Sequence, residues 1–113
     1  MEAGSPLAVY AKYGARNVDK KKGPAIAVFY SPTCGHCHNF AAEFDKAAKK
    51  LKGKGIKAYA QGPPLPDFVR YVPHLVFVDK SGKHHQIQSR DGNQVAEMAA
   101  DMNKMLKGGF KSL

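Results

Sequence analysis

The feature that most limits the fold is a run of six apolar residues, AIAVFY, at positions 25–30. Pro24 and Pro32 lie on either side of this run, and proline cannot donate a backbone hydrogen bond to a neighbouring strand. A short apolar run between two such breaks is typical of a β-strand that is covered on both faces. The sequence therefore predicts a buried strand over residues 25–30.

Two amphipathic helices are predicted from apolar residues that recur at helical spacing. The first follows the cysteines and ends near Gly53, and its apolar positions are Phe40, Phe44, Ala47, Ala48 and Leu51. The second begins at a cap formed by Asp91 or Asn93 and stops at Gly108-Gly109. Its apolar positions are Val95, Met98, Ala99, Met102 and Leu106.

The remaining segments predict short elements. Ser5-Pro6 begins a short helix that stops near Gly14, and a loop continues to Pro24. Strands are predicted at 56–60, 74–78 and 84–88, the last two joined by a turn at Gly82. The proline-rich segment 61–72 is predicted as a loop with at most one helical turn. This order of elements indicates an α/β fold with a mixed sheet.

The length of 113 residues fits one domain, with an N-terminal helix and loop over 1–24 and a core over 25–107. No apolar run approaches the roughly 20 residues of a membrane-spanning helix. The first residues lack the basic start and apolar stretch of a secretory signal. The default expectation is therefore the cytoplasm, or the ER lumen or another oxidising compartment if a signal has been removed.

The formal charge is +9, from 18 basic against 9 acidic residues. Such an excess is compatible with nucleic acid, an anionic membrane or an acidic partner. The lysines fall in local clusters and no nucleic-acid motif accompanies them, so we interpret them as a solvated surface. A monomer without a nucleic-acid or membrane partner is expected.

The only two cysteines, Cys34 and Cys37, lie between the buried strand and the helix that follows. Backbone N–H groups at a helix N-terminus stabilise negative charge, so Cys34 is predicted to ionise readily. Cys37 lies one helical turn away and can displace a substrate sulfur bound to Cys34. His36 can add positive charge beside the thiolate, and Gly35 permits close approach at the helix start.

The segment VFYSPTCGHC, residues 28–37, resembles the active site of the thioredoxin superfamily, and CGHC resembles the motif of the protein disulfide isomerase branch. Val72-Pro73, directly before a predicted strand, resembles the cis-proline that faces the cysteines in this family. The resemblance implies a thioredoxin-like fold, a central mixed sheet flanked by helices. It also implies a thiol-disulfide oxidoreductase that acts on protein thiols and disulfides. A recycling reductase or oxidase is implied as a partner, and no organic cofactor or metal is expected.

The resemblance also assigns site residues and exposes departures. Val72, Pro73 and His74 would form the wall that faces substrate, with His74 close to the sulfurs. Thr33 stands where the family usually has tryptophan, and Val28 stands where it usually has a buried acid that takes the proton of the resolving thiol. The link between Cys37 and Pro73 is short, which predicts a trimmed third helix.

Three other functions remain open. The short link between Cys37 and Pro73 favours a glutathione-dependent enzyme resembling glutaredoxin. The residues Gly-His between the cysteines, and the absence of two glycines after the hairpin, argue against it. Binding or chaperone modules also use this fold. The letters CGHCH further match a haem attachment pattern or part of a zinc site. For haem, Cys34 and Cys37 would bond the porphyrin and His38 would ligate the iron, with Met98, Met102 or Met105 as the second ligand. For zinc, the candidate ligands are Cys34, Cys37, His38, His84 and His85. We interpret those methionines as core residues, and the two histidines as surface residues of an edge hairpin.

Overall fold

Strand β1 (Ala25–Phe29) lies inside the sheet, and each of its five side chains is buried, as the apolar run predicts. The computed structural model describes residues 6–108, so the predicted helix start at Ser5 and the stop at Gly109 lie outside the described residues. The other strands are β2 (Lys57–Gln61), β3 (His74–Val78) and β4 (His84–Gln86). The helices are α1 (Pro6–Ala11), α2 (Gly35–Lys52) and α3 (Gly92–Gly108).

The four strands form one mixed sheet in the order β2-β1-β3-β4. Strand β1 pairs with β2 in parallel and with β3 in antiparallel orientation, and β3 pairs antiparallel with β4. Gly82 has a φ of +94° in the turn between β3 and β4, a conformation that glycine adopts without strain. The mixed sheet and the hairpin predicted from the sequence are both confirmed.

All three helices pack against one face of the sheet, which we call the helical face. Because side chains alternate along a strand, Ile26 and Val28 of β1 point to this face. The central aromatic residue of α2, Phe44, is fully buried against them. Truncating a buried phenylalanine of this kind to alanine costs about 3–5 kcal/mol of unfolding free energy. The helical face therefore holds most of the core.

The opposite face, which we call the loop face, is covered by loops. Ala25, Ala27 and Phe29 of β1 form a buried cluster with Val18 there, and Leu65 and Val69 pack against the cluster. Between β2 and β3 the chain forms turns and bends but no helix or strand, so the predicted trimming of the third helix is confirmed. The predicted loop before β1 does contain one 3-10 turn, Val18–Lys20, whose first N–H donates to the Gln61 side chain at 2.8 Å.

Helix α3 begins in direct contact with α2. The Gly92 N–H donates to Glu43 Oε1 at 2.7 Å, and a Cβ on Gly92 would lie 2.6 Å from the Glu43 carbonyl oxygen. Only glycine fits this approach. Asp91 supplies the cap, since its Oδ1 accepts the Gln94 N–H at 3.0 Å.

The apolar stripe of α3 contacts the core as far as Met102. Met105 and Leu106 are 49% and 38% exposed, so the prediction that Met105 lies in the core is wrong, and the predicted apolar stripe is no longer buried at Leu106. Helical spacing assigns residues to one side of a helix but cannot tell how far the core extends along it. Within residues 6–108, no helix has the length and apolarity needed to cross a membrane.

Candidate active site

Cys34 occupies the N-cap of α2, five residues after the end of β1. Its backbone is extended, with φ −90° and ψ 119°, and its sulfur accepts the Cys37 N–H at 3.4 Å. Pro32 separates it from the strand, because a proline cannot continue the ladder of hydrogen bonds. The predicted position of the cysteines, between a buried strand and a helix start, is confirmed.

The surroundings of Cys34 favour its thiolate. Partial burial opposes ionisation, but hydrogen bonds from the Cys37 thiol and from the N–H groups of Cys37 and His36 outweigh it and lower the pKa of Cys34. His36 contributes here through its backbone N–H, while its side chain is exposed. The lowered pKa of Cys34 therefore comes from the Cys37 thiol and from the first N–H groups of α2.

Cys37 is held in the opposite state. Its side chain is fully buried, and this burial raises its pKa to about 11, although a hydrogen bond from the Ser31 backbone and the charge of Arg90 act against the increase. Both cysteines are free thiols. The two neighbouring sulfurs thus differ in character: Cys34 is partly exposed and has a lowered pKa, whereas Cys37 is buried and has a raised pKa.

Two tyrosines support the helix turn that carries the cysteines. The Tyr10 hydroxyl donates to the Cys37 carbonyl oxygen at 2.5 Å, and the Tyr10 ring stacks on Tyr30 at 4.4 Å between centroids. From the sequence, Tyr10 is recognised only as an apolar position of the first helix. Nothing local links it to a cysteine 27 positions away.

Val72 and Pro73 form the wall opposite Cys34. The Cys34 sulfur lies 3.6 Å from the Val72 carbonyl oxygen, and the Val72-Pro73 peptide is cis. Pro73 is buried and Val72 is half-buried. The structure therefore brings together the two segments predicted to form the site, although 38 positions separate them.

A cavity of about 370 Å³ opens beside this wall. Its lining residues are His36, Asn39, Phe40, Val72, Pro73 and Arg90. Arg90 Nη2 donates to the Pro73 carbonyl oxygen at 2.7 Å and so ties the loop before α3 to the wall. Sequence reasoning missed Arg90, because no local pattern links this residue to the cysteines.

Gly35 and Thr33 are both exposed. A Cβ on Gly35 would meet no atom of this chain within 4 Å, so the close approach predicted there does not occur within the chain itself. The Thr33 hydroxyl lies 3.2 Å from that of Ser31. Val28, in the position of the missing acid, is fully buried in the same cluster as Cys37.

The side chain of His74 does not join the sulfurs. His74 pairs with Phe29 in the sheet, and its ring lies near Phe29, Phe68 and Tyr71 on the loop face. Leu75, the next residue, takes the helical face instead. The expected position of His74 beside the cysteines is thus corrected, because alternation along β3 turns its side chain to the other side of the sheet.

The histidines of the haem and zinc alternatives are engaged elsewhere. The His38 ring donates from Nε2 to the Pro32 carbonyl oxygen at 2.6 Å. His84 and His85 point to opposite faces, His84 towards Phe29 and His85 towards Phe77, where His85 pairs with Asp79 at 2.9 Å. Both are half-buried, so their prediction as surface residues is wrong: each packs on an aromatic ring of the sheet. Among residues 6–108, no three His, Cys, Asp or Glu side chains are grouped to hold a metal.

Comparisons with known proteins agree with this geometry. The chain is 38% identical over 77 residues to "Protein disulfide-isomerase A6 homolog" of Drosophila melanogaster, a match that covers 63% of this chain and 18% of that protein. It is 29% identical over 92 residues to "Probable protein disulfide-isomerase ER-60" of Schistosoma mansoni, covering 74% of this chain and 19% of that protein. The chain therefore spans about a fifth of the length of these relatives.

A solved structure shares the fold. The J-Trx1 fragment of ERdj5 superimposes with a TM-score of 0.69 at 18% identity, covering 85% of this chain and 55% of that one. The family model described as Thioredoxin matches residues 9–104, which include both cysteines, the Val72-Pro73 wall and every strand of the sheet. This chain belongs to the thioredoxin family.

Proposed function

We propose that this chain is a thiol-disulfide oxidoreductase that exchanges disulfides with protein substrates. The observation that supports the proposal most directly is the difference between the two sulfurs. Cys34, with a lowered pKa, faces the Val72-Pro73 wall, and Cys37, with a raised pKa, is buried one turn behind it. A nucleophile must be ionised and accessible, whereas a resolving thiol must stay protonated until it is needed.

The reaction then has two steps. The Cys34 thiolate attacks one sulfur of a substrate disulfide, forms a mixed disulfide and releases the other substrate sulfur as a thiolate. Cys37 loses its proton to solvent and attacks the Cys34 sulfur, which breaks the mixed disulfide. The substrate leaves with both sulfurs reduced, and Cys34 and Cys37 are left as a disulfide. In the reverse direction, the same steps transfer that disulfide to a substrate dithiol.

The names of the relatives support protein disulfides as substrates and favour an oxidising compartment, such as the ER lumen, over the cytoplasmic default. A reductase or oxidase must recycle the pair, since each turnover changes its oxidation state. We propose that the domain needs no metal or organic cofactor, because the two sulfurs carry the electrons themselves. We also propose that it acts as a monomer.

A trapping experiment tests this function. Cys37→Ser should accumulate mixed disulfides with a peptide disulfide, because nothing displaces Cys34, and Cys34→Ser should form none. A binding or chaperone module would retain its partner after Cys34→Ser and would trap nothing covalently. A glutaredoxin-like enzyme would reduce only disulfides that contain glutathione. Either of these two results would contradict the proposal.

A further inference from the structure

Arg90 is held in a fixed position beside the active site. Its Nη2 donates to the Pro73 carbonyl oxygen at 2.7 Å, and its Nη1 lies 3.1 Å and 3.2 Å from the carbonyl oxygens of Ser89 and Gln88. The guanidinium carbon lies 5.5 Å from the centre of the Phe40 ring. These contacts orient the group before any ligand arrives, so little conformational freedom would be lost on binding.

The charge of Arg90 has no counter-ion among residues 6–108: its hydrogen-bond acceptors there are backbone carbonyls, and none of the ion pairs includes it. The neighbouring acids serve other groups. Asp91 caps α3 through the Gln94 N–H, and Glu43 accepts the Gly92 N–H. Arg90 is half-buried, so its guanidinium has lost part of its hydration. The carbonyl dipoles compensate for this loss only in part, because no carboxylate neutralises the charge.

The unpaired charge lines the cavity next to the reactive sulfur. Asn39 and His36 line the same cavity and add further polar groups that bind carboxylates. Val72 and Pro73 form another side of it, and the Cys34 sulfur lies 3.6 Å from the Val72 carbonyl oxygen. A substrate whose sulfur reaches Cys34 would therefore place the groups next to that sulfur over Arg90.

We propose that this cavity selects substrates that carry a carboxylate next to the reactive sulfur, with Arg90 as the group that binds it. The inference rests on the proposed function and adds a substrate class to it. Two sources share this chemistry: an acidic residue beside a protein cysteine, and the carboxylates of glutathione. The Nε–H and the second hydrogen of Nη2 donate to no carbonyl among residues 6–108, and one face of the guanidinium lies over Phe40, so we assign the carboxylate to these two N–H groups.

The test uses three disulfide peptides that differ only in the residue beside cysteine: Glu, Gln or Lys. Attack by Cys34 is followed in the full chain carrying Cys37→Ser, so that the effect of Arg90 on the Cys37 thiol does not enter. We expect the Glu peptide to react about tenfold faster than the Gln peptide, and the Lys peptide more slowly still. Raising the salt concentration should reduce these differences.

Arg90→Gln should bring the Glu-to-Gln rate ratio close to one, whereas Arg90→Lys should keep part of it. Lys104→Gln, which removes an exposed charge of α3 outside the cavity, should leave the ratio unchanged. If Arg90 were only structural, its replacement would slow all three peptides equally and the ratio measured with Arg90 in place would already be one. That ratio needs no substitution at position 90, so a value of one overturns the inference even if Arg90→Gln does not fold.

Glutathione disulfide and its esterified form, in which the carboxylates are masked, identify the source. A preference among the peptides assigns the site to acidic residues of proteins. If the three peptides react at equal rates but glutathione disulfide reacts faster than its ester, the site is assigned to glutathione. Equal rates in both series overturn the inference. Equal rates with turnover leave the proposed function intact, whereas no reaction with any disulfide overturns both.

Discussion

The Tyr10 hydroxyl donates a hydrogen bond to the carbonyl oxygen of Cys37, which joins α1 to the turn of α2 that carries both cysteines. Both groups are buried, and the bond spans 27 positions of the chain. Burial, together with the nearby cysteine sulfurs, raises the pKa of Tyr10, so the hydroxyl remains a donor throughout the physiological range. The first helix is therefore part of the support of the site.

Tyr10→Phe removes this bond but keeps the stacking on Tyr30. We expect the free energy of unfolding to fall by about 1 kcal/mol, the usual net value of one hydrogen bond, as measured by urea denaturation. Tyr59→Phe, on the loop face, is the matched control and should change stability less. An unchanged midpoint for Tyr10→Phe would show that the bond does not support α2.

The two thiols should titrate separately. The rate of alkylation by iodoacetamide, measured against pH, should show Cys34 ionising below the ordinary cysteine value, because hydrogen bonds from the Cys37 thiol and from the N–H groups at the start of α2 stabilise its thiolate. Cys37 should react only as the pH approaches about 11. Cys37→Ser leaves only the Cys34 titration and keeps a hydroxyl donor in place of the Cys37 thiol. A single titration at the ordinary thiol pKa would contradict the assignment of roles.

A stabilised thiolate makes the reduced form more stable and the disulfide more oxidising. We therefore expect the Cys34-Cys37 couple, equilibrated against glutathione buffers, to have a reduction potential less negative than the about −270 mV of thioredoxin. His36→Ala should shift the potential towards thioredoxin if the exposed imidazole adds positive charge, and His38→Ala serves as its control. A wild-type potential as low as that of thioredoxin would refute the expectation.

Among residues 6–108 no carboxylate is buried, and the fully buried Val28 stands at the position that the resemblance assigns to a proton-accepting acid. Release of substrate from the mixed disulfide should therefore be slow at neutral pH and accelerate as the pH rises, because burial raises the pKa of the Cys37 thiol. Val28→Glu should accelerate release at neutral pH while lowering the free energy of unfolding by about 2 kcal/mol or more.

Val76→Glu provides the control for this substitution. Val76 is as well buried as Val28 but belongs to the cluster of the loop face, away from Cys37. It should destabilise the fold without accelerating release, as followed by loss of the trapped substrate. Equal rates of substrate release in the two variants would show that a carboxylate at position 28 does not act as the base for Cys37.

Asp45 of α2 contacts Lys12 and Tyr13, which directly follow α1, and Lys49 one turn further along α2. Burial alone would raise its pKa, but the hydrogen bonds from these three side chains prevail and lower it from 3.8 to about 2. A carboxyl group whose pKa is lowered by folding stabilises the fold at every pH above its pKa in the unfolded chain. That stability is lost as the pH falls through about 2.

Asp45→Asn should therefore lower the free energy of unfolding at neutral pH by about 1 kcal/mol, a modest value because solvent screens the exposed lysines. The difference from the wild type should vanish in acid, where both side chains are neutral. Urea denaturation at several pH values measures it. A difference that does not depend on pH would assign the effect to packing instead.

Several features followed from the sequence alone because their causes act within a few positions. Prolines on either side of an apolar run define β1, helical spacing defines α2 and α3, and two thiols one turn apart at a helix start define a reactive pair. The Val72-Pro73 wall was recognised by resemblance, and the structure places it 3.6 Å from the Cys34 sulfur.

Other features depended on how distant segments meet. The register of β3 against β1 turned His74 to the loop face, and a shift of one residue would have reversed that result. Tyr10 and Arg90 reach the site from the two ends of the chain, and neither carries a local signal of its role. Periodicity and helix caps can be recognised within one segment of sequence. An unpaired charge or a buried hydrogen bond depends on which distant groups the folded chain brings together.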